Sequence, residues 1–280
     1  MSEQTENPLK KYYRQPQLYI KLPSKGEWWP EGSLSKTVTN EYPVFAMTAR
    51  DELALKTPDA LLNGQSTVDV IQSCVPSIKN AWHTPVCDVD HILIAIRLAT
   101  YGNGMDFVSI CPHCKHKNEH TLDLQSLLDK YADIPTWNKP IHINDLIVVL
   151  KPESYKTFNN RSIKTYEEQR VLQVINQEGL EEVAKLEKFK ELFKNLLKLT
   201  VEQVAGNINY IKLDAHTVVD NELFINEFFQ NCDRVVWNKV NDTINEIKSS
   251  IPTNNVELVC ESCTKDYKTP LVFEMSNFFG

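Results

Sequence analysis

Two cysteine pairs carry the clearest chemistry in this sequence: Cys111-Pro112-His113-Cys114 and Cys260-Glu261-Ser262-Cys263. A two-residue spacer lets both sulfurs of a pair turn toward one tetrahedral ion, so the four thiolates together match a structural Zn²⁺ site. Seven cysteines in all, with Cys74, Cys87 and Cys232 left as singles, suit a disulfide framework poorly. Four sulfur ligands also close the coordination sphere, which argues against a catalytic ion. Neither pair ends a strand that opens into a helix, as a redox CxxC would. His113 and His116 are read as solvated turn residues rather than ligands.

Spacing is the difficulty. A compact ribbon separates its pairs by about 15–20 residues, whereas 145 residues lie between Cys114 and Cys260. Closure entropy grows only logarithmically, so this lengthening costs about 2 kcal/mol extra. Zinc binding to such ligands releases on the order of 10–16 kcal/mol. A metal site split by an inserted domain is therefore physically reasonable.

The elements that must position these sulfurs follow from pattern. The expected fold class is α+β, mainly helical, with a four-cysteine zinc ribbon split by a helical insertion and an extended proline-rich N-terminal arm. Residues 1–50 form that arm with short strands, one of them over 18–22; residues 51–106 are a helical segment. Residues 107–124 give the first half of the ribbon, 125–255 a hairpin plus the helical insertion, and 256–280 the second half. Leu271-Val272-Phe273 reads as a ribbon strand, and Phe278-Phe279 as residues that pack on the ribbon or on a neighbouring subunit.

Within these regions, Thr57-Pro58-Asp59-Ala60-Leu61-Leu62 reads as a turn and helix entry. Residues 67–74 and 91–99 have helical spacing, the second stopping at Tyr101-Gly102. Asp88 and Asp90 are assigned to capping and the helix dipole rather than to a catalytic cluster with His91. Pro140-Ile141-His142-Ile143, Asn144-Asp145 and residues 146–150 form a hairpin, though without the favoured glycine. Helices follow over 166–176, 180–199, 221–229 and 234–248. The second of these places Leu180, Val183, Phe189, Leu192, Phe193, Leu196 and Leu197 on one side, and Phe224, Phe228 and Phe229 read as core.

Composition narrows the function. The 280 residues carry 30 basic and 37 acidic side chains, for a formal charge of −7. A chain-wide basic field for nucleic acid is therefore missing. Lys10, Lys11, Arg14, Lys21 and Lys25 alternate with Tyr12, Tyr13 and Tyr19, but this run is read as packing on its own domain or on a protein partner. Residues 1–15 lack the apolar centre of a signal peptide. Residues 92–96 are broken by Arg97 far short of a membrane span. With 8 glycines, and only Gly102 and Gly104 close together, no dinucleotide or phosphate loop can be assembled.

Several separate stretches resemble a known family. They are Asn7-Pro8-Leu9-Lys10-Lys11-Tyr12-Tyr13-Arg14-Gln15-Pro16, Leu22-Pro23-Ser24-Lys25-Gly26 before Trp28-Trp29-Pro30, and Met47-Thr48-Ala49-Arg50-Asp51-Glu52. Thr57-Pro58-Asp59-Ala60-Leu61-Leu62-Asn63-Gly64, Gln72-Ser73-Cys74-Val75-Pro76-Ser77-Ile78-Lys79 and Ile94-Ala95-Ile96-Arg97-Leu98-Ala99-Thr100-Tyr101-Gly102 extend the match to the first cysteine pair. Together they resemble the baseplate hub (hub-assembly) proteins of T4-like contractile-tailed bacteriophages. The resemblance implies a non-enzymatic role in building the hub, through contacts with other hub or tail proteins. It places the chain in the host cytoplasm during assembly, with the virion baseplate as a further location. It carries over no catalytic residue, cofactor site, membrane contact or small-molecule substrate. The readings weighed against it are a nucleic-acid-binding zinc ribbon and a cell-wall-degrading tail enzyme, for which Glu167, Glu168, Asp88 and Asp90 are the available acids.

Overall fold

The computed structural model describes residues 7–55, 64–132, 137–177, 182–214, 216–251, 255–270 and 278–279. The segments read above as a helix entry at 57–62 and a ribbon strand at 271–273 lie outside them, as does Leu180.

Among the described residues the N-terminal region is a packed strand pair and not an extended arm. A 3-10 turn over Pro8–Tyr12 leads to β1 (Pro16–Ile20), which pairs antiparallel with β2 (Tyr42–Phe45). Ile20, Leu22, Leu34, Tyr42 and Val44 are buried in the first core. The prolines mislead because both strands are edges: Pro16 opens β1 and Pro43 sits in β2, where a missing N–H costs little.

Helices complete this first body: α1 (Ala49–Leu55), α2 (Gln65–Cys74) and α3 (Val86–Tyr101). Ile92, Ile94, Ala95 and Ile96 make α3 apolar nearly all round, and it lies inside the core. Gly102, at φ 85°, ends it in a conformation that side chains resist. A further helix, α4 (Leu124–Tyr131), begins at Asp123, whose carboxylate accepts the Ser126 N–H at 2.8 Å. Phe278 and Phe279 are buried in the same core, with their rings edge to face and the Arg97 guanidinium over Phe278. Tyr101 Oη donates to the Phe279 carbonyl.

The fold is a mixture of helix and sheet with four small sheets among the described residues, and not mainly helical. Between the first body and the insertion come β3 (Gly104–Ile110) and β4 (Lys117–Asp123), an antiparallel pair. The insertion contains much of the remaining sheet. β5 (Pro140–Ile143), β6 (Leu146–Leu150), β7 (Ile208–Lys212) and β8 (Val218–Val219) form an antiparallel sheet in that order. The expected hairpin is β5–β6; Asn144, at φ 52°, takes the conformation for which glycine is usual. Two helices, α5 (Tyr155–Gln177) and α6 (Glu182–Gly206), leave β6 and return to β7. At 25 residues, α6 is roughly 37 Å long. Asn195 on α6 donates to Glu168 on α5 at 2.8 Å.

α7 (Glu222–Asn231) and α8 (Arg234–Ser250) pack Ile225, Phe229, Val236, Val240, Ile244 and Ile247 into the second core with the sheet. Phe229 is buried, but Phe224 is exposed. The two bodies meet where Val86 N–H donates to the Glu153 carbonyl, Tyr155 N–H to the Thr84 carbonyl, and Trp82 stacks on Tyr155.

Candidate metal centre

Two hairpins present the cysteines. One is β3–β4; the other pairs β9 (Asn255–Val259) with β10 (Asp266–Pro270). Each pair is its own two-stranded sheet, so the two ribbon halves expected from sequence are separate hairpins that meet at their cysteine-bearing tips.

The knuckles at their tips share one design. Cys111 N–H donates to the His116 carbonyl, and Lys115 N–H to the Cys111 carbonyl. At the other tip the pattern repeats: Cys260 N–H donates to the Lys265 carbonyl, and Thr264 N–H to the Cys260 carbonyl. Lys115 and Thr264 take matching left-handed conformations, at φ 62° and 58°. This geometry turns both sulfurs of a pair to one side.

The four Sγ atoms lie within 4.8 Å of one another. Cys111 to Cys263 measures 3.7 Å, and Cys114 to Cys260 3.5 Å. A tetrahedral ion with metal–sulfur bonds of about 2.3 Å separates its sulfurs by roughly 3.8 Å, so the donor set fits a single ion. All seven cysteines are free thiols. Desolvation works upward on the Cys260 thiol, but N–H groups of Cys263 and Ser262 and the neighbouring thiols outweigh it and bring it down to about 6. Cys111 and Cys260 are buried, Cys263 is half-buried and Cys114 faces solvent.

A polar network joins the hairpins beneath the sulfurs. The buried Tyr267 hydroxyl bonds the Ser109 hydroxyl, accepts from Asn118 Nδ2 at 3.2 Å and meets His120 Nε2 at the same distance. Asn118 Oδ1 accepts the Glu261 N–H at 3.0 Å. Sequence reasoning missed these residues. A signal was present: Asn118 and Tyr267 each stand seven positions after the first cysteine of their pair.

The other candidates resolve differently. His113 and His116 are exposed and stand outside the sulfur cluster. Asp88 is wholly buried and does not cap α3; it accepts the Ser24 N–H at 2.7 Å, the Ser24 hydroxyl and Trp29 Nε1. Burial pushes it up to about 6, against the pull of those hydrogen bonds. It fastens the Leu22–Gly26 turn to α3. Asp90 is likewise raised to about 6 by burial, and His91 is buried and lowered to about 4 by desolvation. Arg14 donates to the Ala46 and Ser73 carbonyls and pairs with Asp51 at 3.5 Å. One member of the basic N-terminal run is thus a clamp within the fold.

A cavity of about 550 Å³ between the bodies is lined by Asp90, Trp137, Glu153, Arg161 and Lys248. Three of its charges answer one another: Arg161 stands 2.6 Å and Lys248 4.0 Å from Glu153. Glu168 on α5 is taken up by Asn195. Among the described residues no helix is long and apolar enough to cross a membrane.

Fold and site together define a two-cored protein whose distant segments meet at a four-cysteine knob able to hold a metal ion. Residues 15–280 match the family described as T4 bacteriophage base plate protein, and the chain belongs to that family. No curated protein and no solved structure matches it.

Proposed function

We propose that this chain is a non-enzymatic component of the central hub of the tail baseplate, or of the assembly of that hub, and that Zn²⁺ bound by Cys111, Cys114, Cys260 and Cys263 sets its shape. Family membership supplies the baseplate; the observation that carries the mechanism is the meeting of four sulfurs from pairs with 145 residues between them. Four thiolates leave the ion no open position, so its contribution is cohesion. The ion fastens β9–β10 to β3–β4, and the insertion leaves the first body at a fixed angle. Its partners are other hub or tail proteins, met in the host cytoplasm during assembly.

Two measurements test this. Elemental analysis of purified protein is expected to give one zinc per chain. Phage lacking the chain are expected to build tails without a complete baseplate, and normal tails from such phage would overturn the hub reading.

A further inference from the structure

On α6 an apolar row faces away from everything described in the chain. Val183, Leu186, Phe193 and Leu197 are 69%, 56%, 60% and 68% exposed. With Lys190 they follow one another at alternating steps of three and four, the spacing of a coiled-coil seam. The opposite side of the helix is already used: Leu192 and Leu199 are buried, and Asn195 reaches α5. The row extends over about 21 Å, or roughly four helical turns. Leaving four large apolar side chains in water along one line marks an interaction surface.

The spacing names the shape of the occupant. Knobs at three-and-four steps are filled by another α-helix. Lys190 then selects its charge. It lies midway between Val183 and Leu197, so a second copy would set Lys190 against Lys190 in parallel pairing and in antiparallel pairing centred on the row. Lys194 adds a further exposed cation beside the seam, one heptad after the exposed Glu187, so the cationic stretch is the half from Lys190 to Leu197. Neither lysine has an ion pair among the described residues.

We propose that this seam docks an amphipathic α-helix of a different tail protein, one with acidic residues placed opposite Lys190 and Lys194. The proposal rests on the baseplate reading above and specifies the surface through which it operates.

The test uses the full chain and two synthetic helical peptides of about six turns with leucine at every seam position. One carries glutamate at the flanking positions and the other lysine. Fluorescence anisotropy is expected to show the glutamate peptide binding at least about tenfold more tightly. Phe193→Ser combined with Leu197→Ser should weaken it at least about tenfold, with an unchanged circular dichroism spectrum because both sites are exposed. Lys190→Glu should reverse the preference between peptides. Equal binding of both peptides, no binding, or binding untouched by the serine pair would overturn the proposal. So would sedimentation showing a dimer that the serine pair dissolves, since the occupant is then a second copy. In phage, normal tails from the serine variant remove the seam alone, whereas normal tails without the chain remove the hub role as well.

Discussion

Chelating the metal proposed for the knob separates the cohesion due to the ion from that due to the hairpins themselves. A cross-link from Cys111 to Cys260 joins residues 149 positions apart. Treated like a disulfide, it lowers the entropy of the unfolded chain by the equivalent of about 5 kcal/mol. What joins the two hairpin tips without the ion is the network of Tyr267, Ser109, Asn118, His120 and the Glu261 N–H, four hydrogen bonds, while Val256 of β9 packs against the first core. At about 1 kcal/mol each these bonds are worth roughly 4 kcal/mol, well below the roughly 10–16 kcal/mol that binding of the ion supplies. The apo protein should therefore keep both cores and release the knob. Hydrogen exchange after full chelation is the assay. The amides of Cys111, Cys260, Glu261 and Thr264 should lose protection by at least about a hundredfold, equivalent to roughly 3 kcal/mol. Those of β6 and β7 in the second core should keep theirs. Unchanged protection at Cys260 and Glu261 in verified metal-free protein refutes the reasoning, because the polar network would then suffice.

Other expectations can be checked by urea unfolding. Asp88→Ala strands the Ser24 N–H and Trp29 indole, and should cost about 3 kcal/mol; a loss under about 1 kcal/mol would show that the clamp is dispensable. Ile244→Ala opens a hole in the second core and should cost about 2–5 kcal/mol, whereas exposed Val235→Ala should change little. At Gly64, φ is 75° and an added Cβ would stand 2.6 Å from Asn159 Oδ1, so Gly64→Ala should destabilise by about 1–2 kcal/mol. A neutral result there would show that the turn relaxes freely. His91 sets a pH dependence. Its imidazole titrates near 4 in the fold, against an ordinary value of 6.5, so the unfolded chain binds more protons between these values. Stability from this group is present above pH 6.5 and is lost as pH falls toward 4. Asp88 and Asp90, raised to about 6, act oppositely: their share is present below about pH 4 and lost as pH rises through 6. Replacing His91→Leu should uncover the acids, giving stability that declines from about pH 4 to 6. An unaltered slope contradicts this account.

The cysteine pairs were legible because ligand spacing is itself chemistry, independent of how far apart the pairs lie. The β5–β6 hairpin was legible from alternation around Asn144-Asp145. β4 was placed roughly, but Lys117-Asn118-Glu119-His120 gives little hydrophobic signal, because its inward side makes hydrogen bonds instead of an apolar core. β7 went unread behind the long helices that separate it from its partner β6. α5 begins at Tyr155, well before the expected 166; Ser154 Oγ accepts the Thr157 N–H at its start, but the weakly amphipathic sequence that follows hides the first turns. On α6 the period puts Leu192 on one side with Val183, Phe193 and Leu197, and leaves open whether that side is core or docking face: Leu192 packs while the other three do not. Periodicity reports that a face exists, and only tertiary structure reports whether anything covers it.

The facing knuckles also set an order on biosynthesis. Cys111 and Cys114 leave the ribosome long before Cys260 and Cys263 are translated, and two thiolates alone make a poor site for the ion. A nascent or prematurely terminated chain therefore cannot display the finished knob. A completed knob is, in effect, a certificate that translation has passed Cys263.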